Sequence, residues 1–153
     1  MKKIKPYFRP LPDADGGWTF METLIVIAIV LILTSSVGYM AIQYLDKARV
    51  ASARSQIDSF SIALEAYYID CGNYPSKEQG LGALWEKPSM EPVSRNWNGP
   101  YLYKDIPLDP WGYEYEYTVP GPNGLPYGIR SLGSDGREGG EKYAADIASW
   151  SSE

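Results

Sequence analysis

The chain has 153 residues, a formal charge of −5 and a sequence pI of about 4.8, and these argue against nucleic acid as a partner. It holds no histidine, so the usual general base and the commonest transition-metal ligand are missing. Cys71 is the one cysteine, which excludes an internal disulfide and a cysteine-rich metal cluster and reads as a packed thiol without a base to activate it.

The first residues, 1–17, carry Lys2, Lys3, Lys5 and Arg9 among helix-breaking prolines. From Thr23 to Leu45 no side chain is charged, about the length a helix needs to cross a bilayer. Basic residues before the span, and none behind it until Lys47, place the amino terminus in the cytoplasm and the body beyond the membrane. An ordinary secretory signal would be cut after the apolar run, and Thr34-Ser35-Ser36 is the stretch it would use. Gly16-Gly17 before that run and Glu22 inside its start do not fit such a signal. A carboxylate at membrane depth costs free energy unless it is paired, which marks Glu22 as functional.

The run Gly17-Trp18-Thr19-Phe20-Met21-Glu22-Thr23-Leu24 resembles the class III leader of type IV pilins and pseudopilins. The resemblance implies cleavage between Gly17 and Trp18 by a prepilin peptidase, followed by methylation of the new amino terminus. Trp18 stands where the family usually has phenylalanine. The fifth mature residue would be Glu22, whose carboxylate would pair with the Trp18 α-amine of a neighbouring copy in the low dielectric of the bilayer and set the register of a filament. Cleavage removes a net +2 (four basic, two acidic) from a chain of −5, leaving −7.

Beyond the span, Val50, Ala53, Ile57, Phe60, Leu64 and Tyr67 recur every three or four residues, with Ser52, Gln56, Asp58, Ser59 and Glu65 between them. That spacing predicts an amphipathic helix whose stripe packs a domain. The predicted stop is Asp70-Cys71-Gly72-Asn73, with Gly72 as the cap and Pro75 beyond. A continuous helix from Trp18 to Asp70 would be roughly 80 Å long.

After it, a short helix is predicted over Lys77–Trp85. Alternation at Tyr113, Tyr115, Tyr117 and Val119 predicts a half-buried strand, which also assigns Asp109, Glu114 and Glu116 to a wet face. Pro120–Gly124 reads as a turn, Tyr127, Ile129 and Ser131 as a returning strand, and Ile147–Trp150 as a third. The predicted fold class is α+β: a long N-terminal helix packed on a small antiparallel sheet. The domains are a leader over 1–17, a transmembrane and assembly helix over 18–45, and a globular domain over 46–153. Tyr74-Pro75-Ser76, Glu78-Gln79-Gly80-Leu81, Gly99-Pro100-Tyr101-Leu102 and Ile106-Pro107-Leu108-Asp109-Pro110-Trp111-Gly112 resemble, in order and spacing, the major pseudopilins of type II secretion systems.

One segment concentrates chemistry. Asp135, Glu138, Glu141 and Asp146 lie on a glycine-rich loop that reads either as a calcium site or as a solvated acidic loop. Its spacing is not that of an EF-hand. The resemblance implies the first reading: carboxylates from Asp135 and Asp146, main-chain carbonyls from Leu132 and Arg137, and another near Gly140, around a structural Ca²⁺. Glu138 and Glu141 are either optional ligands or solubilising charge.

The resemblance further implies a non-enzymatic filament subunit in the bacterial inner membrane, with its C-terminal domain in the periplasm. Its partners would be copies of itself, minor pseudopilins, the prepilin peptidase and the inner-membrane assembly platform, with no nucleic acid. Filament growth would drive protein export across the outer membrane. The alternatives are a type IV pilin for adhesion or motility, and a membrane-anchored calcium module that never polymerises. A pilin commonly closes its C-terminal region with a disulfide, which one cysteine cannot make.

Overall fold

The computed structural model describes residues 18–151, apart from the side chains of Ser36 and Tyr39. The predicted leader, 1–17, lies outside the described residues, and Gly17 with it. The chain divides into two compact units, Met1–Met40 and Ala41–Glu153, and helix α1 (Phe20–Cys71, 52 residues) supplies residues to both.

In the first unit, α1 starts with a reciprocal cap. The Glu22 N–H donates to Thr19 Oγ1 (3.2 Å), and the Thr19 N–H reaches back to Glu22 Oε2 (3.5 Å). This is the Thr-x-x-Glu capping box, which occupies two of the N–H groups that a helix start leaves without partners. Every apolar side chain described from Phe20 to Leu33 is exposed, and the helix contains an 18-residue window of mean hydropathy 2.5 with none of it buried. Such a surface has no soluble counterpart unless lipid or another chain covers it. By length and composition the helix is able to cross a membrane. Two hydroxyls in this stretch are satisfied within the helix: Thr34 donates to the Val30 carbonyl and Ser35 to the Leu31 carbonyl, each at 2.7 Å.

In the second unit the predicted stripe is the core. Ala53, Ile57, Phe60, Leu64 and Tyr67 are buried, and Val50 packs at their edge. Ser52, Asp58, Ser59 and Glu65 are exposed, as the period requires, while Gln56 is half-buried and accepts from Tyr115 Oη at 2.6 Å. Full burial of a side chain the size of Leu64 or Ile57 stabilises by about 1.5–3 kcal/mol. The helix ends at Cys71, and Gly72 takes the left-handed conformation (φ 76°) while its N–H donates to the Tyr68 carbonyl.

Three short strands follow in the order β1 (Glu116–Thr118), β2 (Gly128–Ser131), β3 (Ile147–Ala148), with both pairings antiparallel. Tyr117 of β1 faces Ile129 of β2, and Ser131 faces Ile147 of β3; all four are buried. The fold class is as predicted, but the elements after α1 are shorter: β2 starts at Gly128 rather than Tyr127, and β3 stops at Ala148, with Ser149 and Trp150 in a turn. Lys77–Trp85 is not a helix: a turn leads into a 3₁₀ helix at Leu81–Leu84. Gly80 at φ 59° breaks the winding, and Ser76 and Gln79 cap each other, the Ser76 N–H donating to Gln79 Oε1 (2.9 Å) and the Gln79 N–H to Ser76 Oγ (3.3 Å). Gln79 Nε2 then donates to the carbonyls of Met90 (2.8 Å) and Pro92 (3.0 Å), pinning the following loop.

The strand predicted from Tyr113 to Val119 begins only at Glu116, because Asp109 captures Tyr113. The Tyr113 N–H donates to Asp109 Oδ1 (2.8 Å), and the Asp109 N–H donates to the Tyr113 carbonyl (2.8 Å). Asp109 is therefore not on a wet face, as alternation implied; it is 4% exposed, while Glu114 and Glu116 are exposed. Its Oδ1 also accepts from the Trp111 N–H (3.0 Å), and its Oδ2 accepts a 2.6 Å bond from the buried Ser131 Oγ. Gly112, at φ 95°, supplies the left-handed residue that lets the turn close.

Replacing Asp109 by Ala leaves two amides and a buried hydroxyl without their acceptor. We expect Asp109→Ala to lower unfolding stability by about 3 kcal/mol, and Asp109→Asn, which keeps one acceptor oxygen, to lower it less. Urea unfolding of the chain in detergent measures both.

Candidate functional site

Two places carry the residues singled out by sequence. The first is the start of α1. Trp18 and Phe20 are 70% and 78% exposed, so the large apolar rings that open the described chain have no intramolecular cover. Glu22 lies one turn further on, with Oε2 on the Thr19 N–H. The Thr19-x-x-Glu22 box is a role that charge and leader alone did not reveal, although its spacing is legible in the sequence.

The second is the loop between β2 and β3. Leu132 leads into a 3₁₀ turn, Gly133–Asp135, and a second turn, Lys142–Ala144, precedes Asp146. Gly133 (φ 68°) and Gly140 (φ 90°) permit the close return of the chain, since a Cβ on either would collide with the backbone of Ala144 or Ala145. Asp135 is exposed and its Oδ1 accepts from the Arg137 N–H (3.1 Å), stiffening the first turn. Asp146 closes the loop: its Oδ2 accepts from the Gly139 N–H at 3.2 Å. Its Oδ1 is buried and has no hydrogen-bond partner. Among the described residues no group of three or more acidic or thiol side chains is arranged to hold a metal ion. An ion here would need main-chain oxygens, such as the carbonyls of Leu132, Arg137 and Gly140 that the resemblance implies. The orphaned Asp146 oxygen fits such an ion, because a buried carboxylate oxygen calls for a donor or a cation.

Sequence reasoning passed over Arg130, on β2 between Ile129 and Ser131. Its Nε and Nη2 donate to Glu116 Oε2 (2.9 and 2.6 Å), and its Nη1 donates to Glu138 Oε1 (2.8 Å) and Asp146 Oδ2 (3.3 Å). The Glu138 and Glu116 bonds hold the guanidinium pKa above its ordinary value, and Arg130 in turn pulls the Glu138 carboxyl below the usual carboxylate range. Glu141 is exposed. The loop's other anchor is Ser131, whose Oγ joins Asp109 below and accepts from the Gly133 N–H (3.3 Å) above. Nothing in the alternation of β2 distinguishes Ser131 or Arg130 from filler; only the partners they meet across the fold do so.

With this geometry in view, the relatives are informative. Residues 40–150 match the family model described as "Type II secretion system (T2SS), protein G". The "Type II secretion system core protein G" of Pseudomonas aeruginosa is 40% identical over 136 residues, covering 89% of this chain and 95% of the relative. The protein of the same name from Vibrio cholerae is 39% identical over 134 residues, covering 88% and 90%. The crystal structure of the major pseudopilin from the type 2 secretion system of enterohaemorrhagic Escherichia coli superposes with a TM-score of 0.61 at 34% identity, covering 71% of this chain and 92% of that one. A capped apolar helix that continues into the core of a three-stranded domain, matched along nearly its whole length, identifies the chain as a member of the type II secretion protein G family, the major pseudopilins.

Proposed function

We propose that this subunit is cut between Gly17 and Trp18 by a prepilin peptidase, anchored in the inner membrane by α1, and polymerised with copies of itself into a periplasmic filament that drives export across the outer membrane. The observation that carries this reading is the uncovered apolar surface of α1 from Phe20 to Leu33, on a chain whose family builds a secretion machine. In the filament that surface is covered by neighbouring helices, and before assembly by lipid. The minor pseudopilins and the inner-membrane assembly platform are the remaining partners. The subunit's role in this reading is structural: Glu114, just before β1, and Glu116 on it are both exposed, and Glu116 is spent on Arg130.

Glu22 has two roles to separate, the internal cap and an ion pair with the Trp18 α-amine of a neighbour. Gln at the same position keeps the capping box but not the charge. Glu22→Ala and Glu22→Gln are both expected to be processed normally, with a mature terminus at Trp18 by mass spectrometry, and both to be lost from sheared or cross-linked filaments. Normal incorporation of the Gln variant would reduce Glu22 to a cap.

The loop is the proposed calcium site, held by Asp135 and Asp146 with carbonyls of Leu132, Arg137 and Gly140. A bound Ca²⁺ would supply charge neutralisation and a fixed geometry, not catalysis. The chain's own groups do the rest: Asp109 and Ser131 anchor the entry, Gly133 and Gly140 allow the return, and Asp146 closes it. Free calcium at about a hundred times its dissociation constant would stabilise the native state by about 2.7 kcal/mol. Chelation should therefore lower the melting temperature of the wild-type chain by several degrees and leave that of Asp146→Ala unmoved; an unshifted wild type, with no metal by elemental analysis, would refute the site.

A further inference from the structure

Arg130 divides its donors between the sheet and the loop. Nε and Nη2 are spent on Glu116 of neighbouring β1, while Nη1 reaches Glu138 and Asp146, eight and sixteen residues along the chain. The same oxygen of Asp146 also accepts from the Gly139 N–H. Two donors on Oδ2 fix the rotation of the carboxylate, and Oδ1 is thereby left buried and without a hydrogen-bond partner. The Asp146 and Arg130 side chains are 19% and 21% exposed, so this pairing is largely shielded from water, while Glu138 at 78% is held from the outside.

We propose that Arg130 is the positioning residue of the loop: by tying Glu138 and Asp146 to β1 and β2, it closes the loop before any cation binds and presents Asp146 Oδ1 to the ion. The clamp stands on its own geometry; its consequence for calcium rests on the calcium reading above. A guanidinium beside a metal site also repels the metal, so two effects oppose each other. Here Glu116 neutralises it through two short bonds, and Arg130, Glu116, Glu138 and Asp146 together still carry −2. Asp135 makes that −3, more than a divalent ion neutralises. Positioning therefore outweighs repulsion. Lys cannot replace Arg130 fully, because a single ammonium cannot span Glu116 and Asp146 as the planar fork does.

The test compares wild type, Arg130→Gln and Arg130→Lys as full chains in detergent, by hydrogen exchange and calcium titration. In chelator, the Gln variant is expected to exchange about tenfold faster at Gly139 and through 133–146, with Tyr117 and Ile129 in the sheet unchanged. Its calcium midpoint is expected to rise about tenfold, with the Lys variant between it and wild type. Loop exchange equal to wild type in chelator overturns the clamp. Calcium binding by the Gln variant as tight as wild type, or tighter, overturns the positioning role and makes Arg130 a competing charge. If wild type binds no calcium, the calcium reading fails alone, and the exchange comparison still decides the clamp. Should Arg130→Gln not fold, Glu138→Ala removes one loop-side partner without touching the sheet; faster exchange at 138–140 supports the clamp and unchanged exchange refutes it.

Discussion

The apolar stripe of α1 is the constraint on which the globular unit depends. Strands of three, four and two residues cannot hold a sheet together in water, because so short a ladder fixes more backbone freedom than its hydrogen bonds offset. Ile129 and Ile147 become a stable face because Ile57, Phe60, Leu64 and Tyr67 are part of the same buried cluster. Tyrosines fill the space between, each with a polar end to satisfy: Tyr115 donates to Gln56 on the helix and Tyr117 to the Pro75 carbonyl just beyond it. These bonds tie the helix, the segment after it and the sheet together in addition to the contact of apolar surface.

The irregular segments obey a second constraint, the satisfaction of buried backbone groups where no regular ladder runs. One device serves twice. Thr19 with Glu22 and Ser76 with Gln79 are the same reciprocal cap, at the start of the long helix and at the turn after it. Asp109 does comparable work alone, collecting Trp111, Tyr113 and Ser131 on one carboxylate. The run Leu108-Asp109-Pro110-Trp111-Gly112 thus has a structural meaning: a buried acceptor, a residue without an N–H to satisfy, a half-buried indole and a left-handed turn.

What could be read from sequence followed from periodicity and its breakers. The stripe from Val50 to Tyr67, the stop at Gly72 and the inward side of both longer strands were legible because each depends only on spacing. The errors arise where side chains take partners that periodicity does not encode. Asp109 was assigned to water because alternation treats an acidic residue near a strand as outward, yet the Trp111 and Tyr113 N–H groups just beyond it and the Ser131 hydroxyl across the fold hold it inside. The helix expected over Lys77–Trp85 failed because Gly80 breaks the winding and Ser76 and Gln79 cap each other, and because Gln79 also bonds to Met90 and Pro92, partners no local window contains. Arg130 escaped notice for the same reason: its meaning lies in Glu116, Glu138 and Asp146, which pattern alone does not bring together.

Those long-range polar contacts converge on the loop from two sides. At its entry, Asp109 fixes Ser131, and Ser131 receives the Gly133 N–H. At its exit, Arg130 and the Gly139 N–H fix Asp146. Between these anchors stand glycines, chosen for conformations that side chains resist and supplying no rigidity of their own. Such a segment would be loose if the only order came from its own residues, since each glycine leaves more freedom in the unfolded chain to be lost. The order is instead lent by the sheet, through one hydroxyl and one guanidinium on a single strand, β2. Side chains alternate across a strand, so Ser131 works from the buried face, where Asp109 lies, and Arg130 from the opposite face, where Glu116 is exposed. A strand of four residues thereby holds both ends of the loop that follows it, and this explains how so small a sheet supports a loop longer than any of its strands.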